Sequence, residues 1–230
     1  MQPETIPPDG APPDGATEGR LVIGTRRYSS WSLRGWLAVR LAGLHVTETL
    51  IPLAVGATEA IRTATPTGLV PYLEHRGARI WDSLAIGEYC AELAPVLWPA
   101  DRIARARARS VAAEMHAGFR ALRSAMPMNC GRDGRPLAGG IMPEVAADIA
   151  RIEAIWSAGE GPYLFGADFT VADAMFAPVV SRLISYGVPT DEPSTAYRQA
   201  VRTHPLLVEW YRAAAAEPAG WQLDRYESIA

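Results

Sequence analysis

Gly68-Leu69-Val70-Pro71-Tyr72-Leu73 is the stretch on which the fold turns. Val70, Tyr72 and Leu73 read as a strand, yet Pro71 has no amide hydrogen and cannot complete a ladder. A proline entering a strand belongs at a sheet edge or beside a ligand. An X-Pro bond at such a place also admits the cis form. Downstream, Val70–Glu74, Arg76-Gly77 and Ala78–Trp81 form a hairpin pattern with glycine at the turn. Asp82-Ser83 then opens a helix whose apolar side carries Leu84, Ile86, Tyr89, Cys90 and Leu93.

Upstream, Leu21–Ile23 is a short buried-strand run ending at Gly24. Leu33, Trp36, Leu37, Leu41 and Leu44 follow at helical spacing, with Gly43 as a stop. His45–Leu53 reads as a second strand and Thr58–Thr63 as a short helix, ended by the turn Thr65-Pro66-Thr67-Gly68. The order is strand, helix, strand, short helix, strand, strand, helix. The first crossover gives a parallel pair and the hairpin adds antiparallel strands, so an α/β domain with a mixed four-stranded sheet is expected over residues 20–96.

After Pro95 the character changes. Trp98-Pro99-Ala100-Asp101 looks like a linker, and strand signals then nearly vanish. Helices are expected over Arg102–Met126, Pro143–Ser157 and Thr170–Tyr186, and at least one more within Arg198–Ala216, opened by His204-Pro205. Residues 97–230 therefore read as an all-helical domain. At the other end, Pro7–Ala11 and Pro12–Ala16 repeat PPDGA, a composition that cannot bury a core. Residues 1–19 read as a disordered tail.

Composition narrows the function. The chain has 230 residues and a formal charge of −3, against the basic excess of most nucleic-acid binders. The arginines of Arg102–Arg109 (RIARARAR) read as a solvated helix face. All 22 basic residues are arginine, which excludes a Schiff-base lysine and a Walker phosphate loop. Cys90 and Cys130 stand far apart outside any CxxC pair, so zinc and dithiol redox chemistry are disfavoured. The N-terminal MQPETIPPDG has no apolar h-region, and no run approaches the roughly 20 apolar residues of a membrane span. Sparse cysteine use fits a reducing compartment. The expectation is a cytoplasmic protein with no nucleic-acid or membrane partner.

Four stretches carry chemistry. Tyr28-Ser29-Ser30-Trp31-Ser32 places hydroxyls where a strand delivers the chain to a helix N-terminus; capping alone would account for them. Val70-Pro71 offers an irregular strand entry. Asp82-Ser83 precedes a helix whose free amides can bind a carboxylate. Thr170 and Asp173 fit a capping box, which makes Asp173 a structural acid, not a catalytic one.

Together and in this order, these stretches resemble the glutathione transferase superfamily over nearly the whole chain. The SS-x-S opening is most similar to the zeta class, which includes maleylacetoacetate isomerases, and to the serine-type members. The resemblance implies a thioredoxin-like N-terminal domain and an all-helical C-terminal domain, with glutathione as co-substrate and no metal. It implies Ser29 as the catalytic serine with Ser30 as its close second. Val70 would pair its backbone with the cysteinyl part of glutathione and Pro71 would be a cis-proline. Asp82 and Ser83 would hold the γ-glutamyl end. Many relatives carry Lys or Gln before the Val-Pro pair; here Leu69 removes that polar contact. A homodimer acting on a small electrophile is implied. The alternatives are a glutathione-dependent cis-trans isomerase and a non-catalytic interaction module. The electrophile would lie between the domains, near Trp31 and Met126-Pro127-Met128.

Overall fold

The computed structural model describes residues 17–53 and 58–229. The tail expected over residues 1–19 lies outside the described residues as far as residue 16, and Gly19 already stands in a strand.

Strand β1 (Gly19–Gly24) carries Leu21, Val22 and Ile23, all fully buried. Successive side chains leave a strand on opposite faces. Leu21 and Ile23 enter the main core with Leu73, whereas Val22 packs with Ile51, Ile61 and Tyr72 on the other face. Both faces are covered, so this strand reads as a continuous apolar run. Helix α1 (Ser30–Leu41) crosses over to β2 (Thr47–Ile51), which runs parallel to β1 with Ile23 opposite Leu50. Helix α2 (Glu59–Ala64) precedes β3 (Tyr72–His75), antiparallel to β1 with Val22 opposite Tyr72. Strand β4 (Ala78–Ile80) closes the hairpin through Arg76 and Gly77, at φ 47° and 85°. Two positive φ values give the tight turn whose twist matches the strands. The sheet order is β2-β1-β3-β4. This is the mixed thioredoxin-like sheet that the sequence implies.

Helix α3 (Ser83–Leu93) packs beside α1. A Cβ at Gly35 of α1 would stand 2.8 Å from Pro71 Cγ. The missing side chain lets α1 rest directly on the Val70–Pro71 peptide, which is cis.

The helical part comprises α4 (Arg102–Ala117), α5 (Arg120–Ala125), α6 (Pro143–Ser157), α7 (Val171–Ser185), α8 (Glu192–Thr203), α9 (Pro205–Ala215) and α10 (Asp224–Glu227). The single helix expected over Arg102–Met126 is corrected to two. Gly118 is extended and Phe119 is left-handed at φ 56°, which turns its ring into the core. Glycine is the weakest helix former after proline, and Asp148 of α6 supplies a new start by accepting from the Leu122 amide at 2.9 Å. Helix α9 opens at Pro205 as read, with His204 Nδ1 accepting from the Leu206 amide.

Helix α7 is buried almost all round and packs against α1, α3 and α4. A helix apolar on every side belongs at a centre. Asp173 anchors its start. Its Oδ2 accepts from the Thr170 amide and hydroxyl, and its Oδ1 from the Leu164 amide and Tyr197 hydroxyl. Burial pushes its carboxyl upward while these donors oppose the shift. The acid is structural, as its spacing implied.

Candidate functional site

Strand β1 ends at Gly24, and the loop from Thr25 to Tyr28 delivers Ser29 to the N-cap of α1. Ser29 Oγ accepts from the Ser32 amide at 3.3 Å and donates to Ser32 Oγ at 2.7 Å. Ser32 Oγ in turn accepts from the Gly24 amide at 3.0 Å. The capping role is therefore real, and it fixes where the Ser29 hydroxyl sits. Ser30 Oγ accepts from Arg182 Nη2 of α7 at 3.2 Å. The neighbouring phenol is engaged elsewhere. Tyr28 donates to Glu227 at 2.5 Å and accepts from the Leu223 amide, and burial with that carboxylate pushes it up to about 12.

Ser29 and Ser30 open on a cleft of about 570 Å³ between the sheet domain and the helices. Leu69 and Val70 also line it, and Pro127 and Met128 line its helical side, whereas Met126 is buried outside it. A second cleft of about 510 Å³ is lined by Val70, Pro71, Asp82 and Ser83. Trp31, Leu69 and Val70 line both. The structure thus brings all six expected site residues around two adjoining clefts that share one wall.

Each residue of the second cleft has a definite position. Asp82 Oδ1 caps α3, accepting from the Leu84 and Ala85 amides at 3.0 and 3.4 Å. Its Oδ2 lies 2.9 Å from His116 Nε2 of α4, a link between domains. Ser83 is buried, and its Oγ has no partner among the described residues. A buried hydroxyl without a partner costs free energy unless something else satisfies it. Ser83 also lines the second cleft, so its orphan hydroxyl stands beside a space that a polar ligand could fill. Leu69 is 66% exposed, an apolar side chain at the mouth of both clefts.

Trp31 meets two guanidinium groups and one imidazole. Arg34 and Arg123 place their guanidinium carbons 4.4 and 4.6 Å from its ring centroid, and His116 meets it edge-on at 5.3 Å. Arg34 is buried, bonded through Nε to the Met175 carbonyl, and burial beside Arg182 and Arg123 holds it well below the ordinary guanidinium range. Burial, together with the Arg123 charge, pushes Arg182 down to about 10, which leaves it charged at neutral pH. Burial pushes the Cys90 thiol up to about 12, so it is a core thiol.

Sequence reasoning placed Ser32 in the hydroxyl cluster without giving it a role, and missed His116 and Arg182. Ser32 had a local signal, since a hydroxyl three positions after an N-cap serine faces it. His116 and Arg182 had none, because only tertiary packing brings them here.

The glutathione S-transferase N-terminal domain family matches residues 28–93, and the glutathione S-transferase C-terminal domain family matches residues 100–213. None of the curated proteins matches the chain. Among solved structures, a glutathione transferase homolog from Burkholderia, with bound glutathione, is 20% identical with a TM-score of 0.67, covering 87% of this chain and 100% of its own. The theta class glutathione S-transferase of Xanthomonas axonopodis pv. citri, with glutathione bound, is 22% identical with a TM-score of 0.64, covering 88% and 99%. A glutathione S-transferase from the Antarctic clam Laternula elliptica is 17% identical with a TM-score of 0.68, covering 89% and 97%. These likenesses establish the fold.

Proposed function

The chain belongs to the glutathione S-transferase superfamily, and on that premise we propose that it is a glutathione transferase in which the Ser29 hydroxyl activates the glutathione thiol. The observation that carries this reading is that Ser29 and Ser30 share one cleft with Val70. Val70 offers its backbone to the cysteinyl part, and Asp82 with Ser83 receives the γ-glutamyl end in the adjoining cleft.

The chemistry asks for a donor at sulfur. A free thiol has a pKa of about 8.5, so little is thiolate at neutral pH. Thiolate is the nucleophile. Lowering that pKa by roughly two units requires about 2.7 kcal/mol. One charge-assisted hydrogen bond is worth roughly 1.5–3 kcal/mol, and the α1 N-terminus adds a favourable dipole. Ser29 need not ionise. When its proton turns to sulfur, the Ser32 hydroxyl can turn its own toward Ser29 Oγ, so the exchange loses no hydrogen bond.

Glutathione binding and conjugation of a model aryl halide, compared across wild type, Ser29→Ala and Ser29→Ala/Ser30→Ala, test the proposal. Activity should fall in the single variant and vanish in the double one. A double variant with full activity overturns the serine role.

The reading includes a domain division at residues 96 and 97, a cytoplasmic location and a homodimer; a monomer by light scattering would remove the last. The SS-x-S opening extends it to the zeta class and isomerisation by reversible thiolate addition, tested by loss of a cis-enone signal without net consumption of glutathione. Exposed Leu69 favours a second reading, a non-catalytic module. Absence of glutathione binding by calorimetry at millimolar ligand would favour that reading instead.

A further inference from the structure

The loop that delivers Ser29 is held from the far end of the chain. Past α9, Glu217 accepts from the Arg26 and Arg27 amides at 2.6 and 3.2 Å. Glu227 of α10 receives three donors on its Oε1: Tyr28 Oη at 2.5 Å, Arg27 Nε at 3.0 Å and Asn129 Nδ2 at 3.2 Å. The Leu223 amide donates to Tyr28 Oη at 3.1 Å, and the Tyr226 ring lies 5.2 Å from the Tyr28 ring. Gly131 leaves room for Arg27, since a Cβ there would stand 1.9 Å from Arg27 Nη2.

Helix α10 buries none of its residues, so Glu227 anchors this segment with little apolar packing behind it. Burial pushes its carboxyl up, but Tyr28 and Arg27 outweigh burial and hold it below the ordinary range. It is charged at neutral pH, and charge-assisted hydrogen bonds are the strong ones. Tyr28 precedes Ser29 directly, and the Tyr28 carbonyl accepts from the Ser30 amide at 3.0 Å. A shift of the phenol therefore moves the start of α1, and misplacing reacting groups by ~1 Å can cost ~100-fold in rate. We propose that Glu227 is a positioning residue of the transferase, holding Tyr28 and Arg27 so that the Ser29 hydroxyl stays at the glutathione sulfur. The proposal rests on the transferase reading and adds to it a residue from the far end of the chain. Tyr28 lines the first cleft, yet its hydroxyl serves this anchor and not the sulfur.

Full-length wild type, Glu227→Ala, Glu227→Gln, Tyr28→Phe and Tyr28→Phe/Glu227→Ala are compared in conjugation of the model aryl halide. Glu227→Ala should lower kcat by ~10-fold or more and keep KM for glutathione within ~2-fold, because the second cleft anchors the tripeptide. The bound thiol should ionise at a higher pH than in wild type. Glu227→Gln, whose amide oxygen still accepts from Tyr28, should recover part of the loss. Tyr28→Phe should show the same loss in smaller measure. The double variant should be no slower than Glu227→Ala, since both changes break one link. Hydrogen exchange at the Ser29 and Ser30 amides reads that link without substrate and should quicken in Glu227→Ala. Wild-type kcat and thiol ionisation in Glu227→Ala overturn the proposal, as does a raised KM with unchanged kcat. So does a Tyr28→Phe protein that loses turnover where Glu227→Ala keeps it, because the phenol would then serve the sulfur. Unchanged exchange in Glu227→Ala overturns it as well. A wild type that binds no glutathione by calorimetry removes the transferase reading instead, and the exchange result then decides alone whether Glu227 holds the loop.

Discussion

Ser29 Oγ donates to Ser32 Oγ at 2.7 Å, and the same Ser32 oxygen accepts from the Gly24 amide. The end of β1, the start of α1 and the candidate catalytic hydroxyl are thereby tied by one buried side chain. Ser32→Ala leaves the Gly24 amide and the Ser29 hydroxyl without that partner. The expected cost is roughly 1–3 kcal/mol of stability, read by urea denaturation, with a fall in kcat. A variant of wild-type stability would show that water or backbone movement replaces Ser32.

Asp82 has two tasks that substitution separates. Asparagine caps a helix about as well as aspartate, so Asp82→Asn should change stability by only a few tenths of a kcal/mol. It removes the charge facing His116 and the proposed γ-glutamyl amine, so glutathione should bind several-fold more weakly by calorimetry. His116→Ala should weaken binding less, because it leaves the carboxylate in place while freeing Oδ2. Unchanged affinity in Asp82→Asn would remove Asp82 from the site.

Asp173 holds two backbone amides and two hydroxyls, all buried. Asp173→Ala should cost at least ~3 kcal/mol, because several buried donors lose their acceptor together. The protein that remains folded should keep a wild-type KM for glutathione. An intact fold with abolished turnover would instead give Asp173 a catalytic part.

Cys90 is fully buried, and burial pushes its thiol up to about 12. It stays protonated well above neutrality, and the thiol is a poor nucleophile compared with the thiolate. Native protein treated with iodoacetamide at mildly alkaline pH should leave the peptide containing Cys90 unlabelled until denaturant is added. Rapid native labelling would reopen thiol chemistry at this position.

The fold was legible because its signals are local. The continuous apolar Leu21–Ile23, the Arg76-Gly77 turn and the Thr170/Asp173 box each report their own surroundings. The candidate site was half legible for the same reason. Ser29, Val70-Pro71 and Asp82-Ser83 lie where element ends meet the sheet, and those ends are written in capping and turn residues. The break at Gly118-Phe119 was not legible, since alanine-rich helix continues on both sides and the ring turns inward only because a core waits there. Arg182 was invisible for a stronger reason. It stands 152 positions from Ser30, on a helix whose surroundings come from several other elements.

The most direct test of the serine mechanism is a pH titration of the thiolate absorbance of bound glutathione near 240 nm, in wild type and in Ser29→Ala/Ser30→Ala. Wild type should ionise the bound thiol roughly two units below the free value of about 8.5, and the double variant should return toward that value. Glutathione that binds the double variant and ionises at the wild-type pH would contradict the account.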